Sequence, residues 1–303
     1  MAPNARADLQ FIPSGQGVLI QVGYTVEVYA LPSGARLGTV TTEHFSTAIP
    51  SPDGSQLFIE QLVPGTNRSY DLTRWETKSG KLTGRVRFSD TAPAGILRGN
   101  NAIISPDGHW LLSFHPDPVT QFRLRATIHD LREMKKVAET PVFPIRLQDD
   151  GSAFSSDGRY FVTCTVLDSD ADRAAKIPGS AQVWETATCK PVGDPLPHPN
   201  GVRTATFNES GRMVLTTGFD STLRVWKIGR TRASAQILMH RPKEVNQKDS
   251  YAVAARWLAG GAKVATVAMG ETDLRLWDPA TGQATAHSSS VAWNSAFVSP
   301  SGK

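Results

Sequence analysis

Residues 198–226 read HPNGVRTATFNESGRMVLTTGFDSTLRVW, and the order of residue types in this stretch decides which fold the chain can adopt. Val202, Thr204 and Thr206 lead to Phe207, then Asn208-Glu209-Ser210-Gly211 turns the chain, and Met213-Val214-Leu215-Thr216-Thr217 continues with apolar and β-branched residues. That order predicts a strand, a tight turn and a second strand. Gly218-Phe219-Asp220-Ser221 supplies a second turn, and Thr222-Leu223-Arg224-Val225-Trp226 alternates as a third strand ending on tryptophan. A meander this small cannot bury its apolar face alone, so it requires neighbours of its own kind.

Working outward, two markers repeat in step. The turn recurs at Phe11-Ile12-Pro13-Ser14-Gly15, Ser51-Pro52-Asp53-Gly54, Ser105-Pro106-Asp107-Gly108 and Ser155-Ser156-Asp157-Gly158, degraded at Leu258-Ala259-Gly260-Gly261, and once more at Ser299-Pro300-Ser301-Gly302. Proline presets φ, aspartate caps the turn and glycine accepts positive φ. Trp75, Trp184, Trp226 and Trp277 end third strands, with Tyr29 and His129 in that place in the first and third copies. Turn glycines 39 to 54 residues apart, in phase with a second marker, predict repeated four-stranded sheets and not a β-sandwich.

The stretch from His198 to Trp226 resembles a WD40 repeat of the bacterial type. In that family a histidine before the first strand, a hydroxyl on the second, an aspartate in the next turn and a tryptophan on the third form a buried hydrogen-bond network. The resemblance places these roles on His198, Thr216, Asp220 and Trp226. Trp277-Asp278 alone keeps the dipeptide that names the family. It implies an all-β fold, a WD40-like β-propeller of four-stranded antiparallel blades occupying residues 1–303 as one domain. Six blades are recognisable, at about 8–42, 46–86, 100–140, 151–195, 201–238 and 251–287, with the first strand of a seventh over 290–303. In the sixth blade Glu271 stands for the aspartate and Val267 for the hydroxyl, so no network is expected there. Either six blades close with residues 288–303 as an extra edge strand, or the chain is a piece of a longer signalling protein with seven or more blades. The longer protein is the expectation.

A histidine, a hydroxyl and a carboxylate also spell a catalytic triad. A triad needs an exposed nucleophile, whereas this set satisfies polar groups between blades, so the structural role is expected. Other chemistries lack their residues. No glycine loop with a phosphate-binding lysine is present, nor a nucleophile elbow or a kinase signature set. His109, His115 and His129 have no ligand partner at zinc spacing. Asp168-Ser169-Asp170-Ala171-Asp172 alternates carboxylates as a calcium loop does, but Arg173 occupies the sixth position, where glycine is needed, and no glutamate closes the twelfth. Neither a metal nor another cofactor is expected.

Composition narrows the partners. The formal net charge is +4 and the isoelectric point about 9.1, with no long basic run, so neither nucleic acid nor a membrane surface is an expected partner. MAPNARADLQFIPSGQG is no export signal, and no stretch approaches ~18 consecutive apolar residues. Cys164 and Cys189, read as lying on the second strand and the start of the fourth strand of one blade, stand roughly 9–10 Å apart, beyond disulfide reach. Free thiols fit a reducing, cytoplasmic setting.

Function is read from the loops. Leu62 to Ser69, His115-Pro116-Asp117-Pro118-Val119-Thr120-Gln121 and Leu167 to Ser180 lengthen the connection from second to third strand in three consecutive blades. Phe88 to Asn101, Pro141 to Gly151 and Gln236 to Ser250 lengthen the entry into the next blade, which opens on the same face of a propeller. The expectation is a noncatalytic scaffold or sensor that binds a protein or peptide through a raised rim, with His115, Asp117, Asp168, Asp170, Asp172 and Arg173 as candidate contacts. The alternative is a propeller hydrolase or oxidoreductase with its site at the central channel. That enzyme would need acids or bases near the starts of first strands, where Ala48-Ile49, Ala102-Ile103, Ala153-Phe154 and Ala205 stand instead.

Overall fold

Strands form where the sequence alternates, and the glycine turns end them. A computed structural model describes residues 7–12, 14–42, 46–63, 69–89, 102–116, 124–143, 146–166, 178–220, 222–229, 235–239, 252–258, 261–268 and 273–288. The chain divides into two compact units, residues 1–142 and 143–303.

The first unit holds three four-stranded antiparallel sheets. They are β1 (Ala7–Phe11), β2 (Gly17–Val22), β3 (Thr25–Ala30) and β4 (Arg36–Thr41); β5 (Ser46–Pro50), β6 (Gln56–Leu62), β7 (Ser69–Glu76) and β8 (Lys81–Ser89); and β9 (Ala102–Ile104), β10 (Trp110–Pro116), β11 (Leu124–Asp130) and β12 (Lys135–Glu139). The second unit repeats the pattern with β13 (Arg146–Phe154), β14 (Tyr160–Val166), β15 (Gly179–Glu185) and β16 (Leu196–His198); β17 (Val202–Phe207), β18 (Met213–Gly218), β19 (Thr222–Lys227) and β20 (Ala235–Met239); and β21 (Ala252–Trp257), β22 (Val264–Ala268), β23 (Asp273–Trp277) and β24 (Ala284–Ser288). Within each sheet every strand pairs with the next in chain order. Residues 290–303, where a seventh blade is expected to begin, lie outside the described residues.

The marker aromatics fall at one register in all six sheets. Tyr29 pairs with Val18, Trp75 with Leu57, His129 with Leu111, Trp184 with Phe161, Trp226 with Val214 and Trp277 with Val264. Sequence neighbours on the second strands feed different cores, because successive side chains point to opposite faces. Leu57 and Ile59 pack with Val26 and Val28 of the first sheet, while Phe58 between them packs with Leu111 and Leu131 of the third. Likewise Val214 joins Val162 and Val183 of the fourth sheet, and Leu215 joins Val264 and Trp277 of the sixth. Such strands read as continuous apolar runs, since neither face meets water.

The turns between first and second strands share one design. Gly15, Gly54, Gly108, Gly158, Gly211 and Gly261 all have φ between 65° and 74°, a region glycine enters without steric cost. In the second and fourth sheets Asp53 and Asp157 each accept the serine hydroxyl two residues earlier, at 2.6 and 2.7 Å, and the backbone N–H two residues later, at 3.1 Å. Neighbouring turns also touch. Ser14 N donates to Pro52 O at 3.0 Å, and Ser156 Oγ donates to Glu209 O at 2.6 Å.

Two expectations change. Cys189 is buried in the turn after β15 at φ 51°, not on a fourth strand; neither cysteine is in a disulfide. Residues 146–151 belong to β13 and not to a connection, because an irregularity in the register between Gln148 and Ala153 absorbs the residues that break the alternation.

Close packing of the fourth and fifth sheets depends on two glycines. A Cβ at Gly179 would lie 2.2 Å from the Cα of Gly201 and 2.8 Å from Thr165 O. Gly179→Ala is expected to lower stability by about 3 kcal/mol. Gly229→Ala, at φ 81° in open space, costs only the backbone strain of roughly 1–2 kcal/mol. Urea unfolding of the two variants, compared by midpoint at equal slope, measures the difference.

Candidate functional site

The polar cluster singled out in the sequence assembles at the junction of the fourth and fifth sheets. His198 ends β16, the edge strand of the fourth sheet, and its ring reaches across to the fifth. There Nδ1 lies 3.0 Å from Asp220 Oδ1 and Nε2 lies 2.8 Å from Thr216 Oγ1, while Trp226 Nε1 donates to Thr216 Oγ1 at 2.8 Å. With Asp220 ionised, Nδ1 carries the ring proton and donates to the carboxylate. Nε2 then accepts from the Thr216 hydroxyl, whose oxygen accepts from the indole. Every polar atom of the set has a partner.

Three further residues complete the cluster. Thr222 donates to Asp220 Oδ1 through its hydroxyl at 2.7 Å and its N–H at 3.1 Å. Arg224 donates to Asp220 Oδ2 at 2.8 Å and to Pro197 O at 2.6 Å, which ties the strand ahead of His198 to the same carboxylate. Gly218 provides room, since a Cβ there would stand 2.1 Å from His198 Nδ1 and 2.3 Å from Asp220 Oδ1.

Burial is the largest single influence on the Asp220 carboxyl and pushes it up. The hydrogen bond from His198, the charge its ring carries when protonated and the two hydrogen bonds from Thr222 together outweigh it and bring the value down to about 2. The cluster is closed to substrate: His198 is 0% exposed and the Asp220 side chain 10%. Thr216 is also buried, and its oxygen is committed to the indole and imidazole. A nucleophile needs an open approach, so acyl transfer here has no route.

The simpler part of the network recurs. Trp184 Nε1 donates to Thr163 Oγ1 at 2.9 Å and Trp277 Nε1 to Thr266 Oγ1 at 2.8 Å, on the second strands of the fourth and sixth sheets. The expectation that the sixth sheet lacks a hydroxyl is therefore corrected: Thr266, and not Val267, holds the position of Thr216. Residues 269–272 between β22 and β23 outnumber residues 219–221 between β18 and β19, so counting from the turn misplaces the register by one. Glu271 is outside the described residues. In the second sheet Ile59 fills the hydroxyl position, and Trp75 Nε1 turns to Thr73 Oγ1 on its own strand at 2.8 Å.

The candidate partner contacts are less defined. His115 lies on β10, and nothing of its side chain is described; Asp117, Asp168, Asp170, Asp172 and Arg173 fall outside the described residues. Of the other histidines, His109 Nε2 lies 3.2 Å from Asp130 Oδ2 and its ring stacks on Trp110, while His129 is buried with Nδ1 3.5 Å from Ser113 Oγ. No group of three or more His, Cys, Asp or Glu able to hold a metal occurs among the described residues. Among them, too, no helix is long and apolar enough to cross a membrane.

Two measurements probe the cluster. Thr266→Val removes one partner of one indole and is expected to cost about 1 kcal/mol, whereas Thr216→Val strands both an indole and an imidazole and costs roughly 2–4 kcal/mol in chemical denaturation. The acid limb is separate. Asp220, lowered to about 2 from 3.8, contributes stability that is complete above about pH 4 and is lost as pH falls through about 2. Asp220→Asn is less stable at neutral pH and loses this component of the acid dependence, as urea midpoints from pH 5 to 2 would record.

Residues 189–227 match the model of the WD40 family, described as WD domain, G-beta repeat. None of the curated proteins compared with the chain matches it. The matched span covers β16 to β19, the last strand of the fourth sheet and the first three of the fifth, which are the strands the network joins. The chain carries a WD40 repeat at residues 189–227, and its described residues form a nearly all-β fold of six four-stranded antiparallel sheets, consistent with a WD40-like propeller.

Proposed function

We propose that this protein is a noncatalytic interaction scaffold whose protein or peptide partner is contacted by the long connections between second and third strands. WD40 repeats generally mediate protein–protein interactions. The observation that carries the finer reading is an inequality in chain length at one topological position. Residues 63–68, 117–123 and 167–178 link second to third strands in the second, third and fourth sheets, whereas residues 23–24, 219–221 and 269–272 suffice in the others. Two residues are enough to reverse an antiparallel pair, so the additional length has no role in closing the sheet. Binding residues concentrate on loops held by a rigid scaffold.

Asp168, Asp170, Asp172 and Arg173 fall in the longest of these connections, Asp117 begins another and His115 stands two residues before it near the end of β10, and we assign them to partner contact. The catalytic alternative has less support, because the one histidine–carboxylate–hydroxyl set among the described residues is enclosed and fully bonded. Two cysteines outside any disulfide are in keeping with a reducing, cytoplasmic setting.

Affinity capture from lysate of the source organism tests the reading, using the full chain and a variant in which a short Gly-Ser turn replaces residues 167–178. A protein held by the native chain and lost by the variant is the expected outcome. Identical captures, or none, would remove this connection from the interaction.

A further inference from the structure

A cleft of about 500 Å³ opens in the second unit between the fourth and fifth sheets, within the size range of roughly 300–1,000 Å³ typical of ligand sites. Tyr160, which begins β14, and the turn before Met213 both line it, so it lies at the end of these sheets opposite Val166, the last residue of β14. None of its lining residues belongs to the long connections between second and third strands.

The floor is apolar. Tyr160, Val192 and Ile228 are partly buried against the core shared by the fourth and fifth sheets, and Met213 against the core shared by the fifth and sixth. The rim is cationic. Arg212 and Lys227 are exposed on it, and Lys227 pairs across the strands with Met213. On the fourth-sheet side the Arg159 guanidinium lies over the Tyr160 ring, 5.4 Å from its centre. Among the described residues no carboxylate is in the lining; the Asp157 carboxylate, 4.0 Å from where a Cβ on Gly211 would stand, is taken up by the Ser155 hydroxyl and the Arg159 backbone N–H, and none of these three cations is held in an ion pair.

We infer that this cleft binds a peptide segment in which an apolar side chain is flanked by acidic residues. The apolar side chain would displace water from the floor formed by Val192, Met213 and Ile228. Acidic residues on one side of it would meet Arg212 and Lys227, and on the other Arg159, in charge-assisted hydrogen bonds that these cations do not make to carboxylates among the described residues. A basic segment would meet like charge on both sides, and a purely polar one would leave the floor wet. Anchor and charge are thus both required, and that combination favours a peptide over a simple anion.

Fluorescence polarisation on the full chain tests the inference with fluorescein-labelled peptides DDFLDD, DDSSDD and KKFLKK. Saturable binding of DDFLDD is expected, at least about tenfold tighter than that of either other peptide. Arg212→Glu/Lys227→Glu should weaken it by about tenfold or more, and Arg212→Gln/Lys227→Gln by several-fold. Both pairs alter exposed side chains, and unchanged melting temperatures would verify folding; if the charge reversal fails to fold, the glutamine pair reads the same effect. No saturable binding of DDFLDD overturns the inference. So does an affinity indifferent to the substitutions, or equal affinity for DDFLDD and DDSSDD, which would mean diffuse charge attraction only.

Discussion

The structure depends on second strands that are buried on both faces. A strand such as β18, with Val214 committed to one core and Leu215 to another, cannot be covered by a single neighbouring sheet. Such a sheet needs company on two sides, and the indole donors have to be satisfied within those cores, since an unpaired indole N–H in such a place costs about 1–3 kcal/mol. A threonine two residues along the second strand meets this need in the fourth, fifth and sixth sheets. The His198 imidazole from the fourth sheet and the Asp220 carboxylate of the fifth extend that bond and do not found a separate site.

The third-to-fourth-strand turns show how one residue type carries the same task through different sequences. Asp278 accepts the N–H groups of Ala280 and Thr281, and Asp130 accepts those of Arg132 and Glu133. His129-Asp130 is thus the positional equivalent of Trp277-Asp278, with histidine in the tryptophan's register. In the fifth sheet the first turn fills the same role with another residue: Asn208 Oδ1 accepts the N–H groups of Arg212 and Met213, where Ser51, Ser105 and Ser155 Oγ accept the N–H five residues on. What repeats is a pattern of satisfied donors, and several residue types fulfil it.

That explains what could be read from sequence. The six turn glycines and six register aromatics were legible because each answers a local demand, on backbone φ or on one strand position. His198, Thr216, Asp220 and Trp226 were legible because the resemblance fixes their spacing. Thr222 and Arg224 were not, since an alternating strand reads such residues as facing water. Gly218 passed for an ordinary turn residue, although its lack of a Cβ is what leaves room for the histidine. Thr266 was missed because the neighbouring connection is longer, and the start of β13 because an irregular register hides its alternation. The connections assigned to partner contact show their length and composition in sequence and nothing of their geometry.

The repeat recognised at residues 189–227 is out of phase with the sheets by one strand: it begins in the fourth and ends in the fifth. His198 therefore belongs to one sheet by backbone pairing and to the next by its side chain, and Arg224 returns the connection through Pro197. Fraying of β16 from β15 cannot be confined to an edge, because it withdraws the partner of Thr216 and Asp220 inside the following sheet. The short edge strand acts as a latch, and the two sheets it joins open as one cooperative unit, an exception to the repeat-by-repeat unfolding of a weakly coupled array.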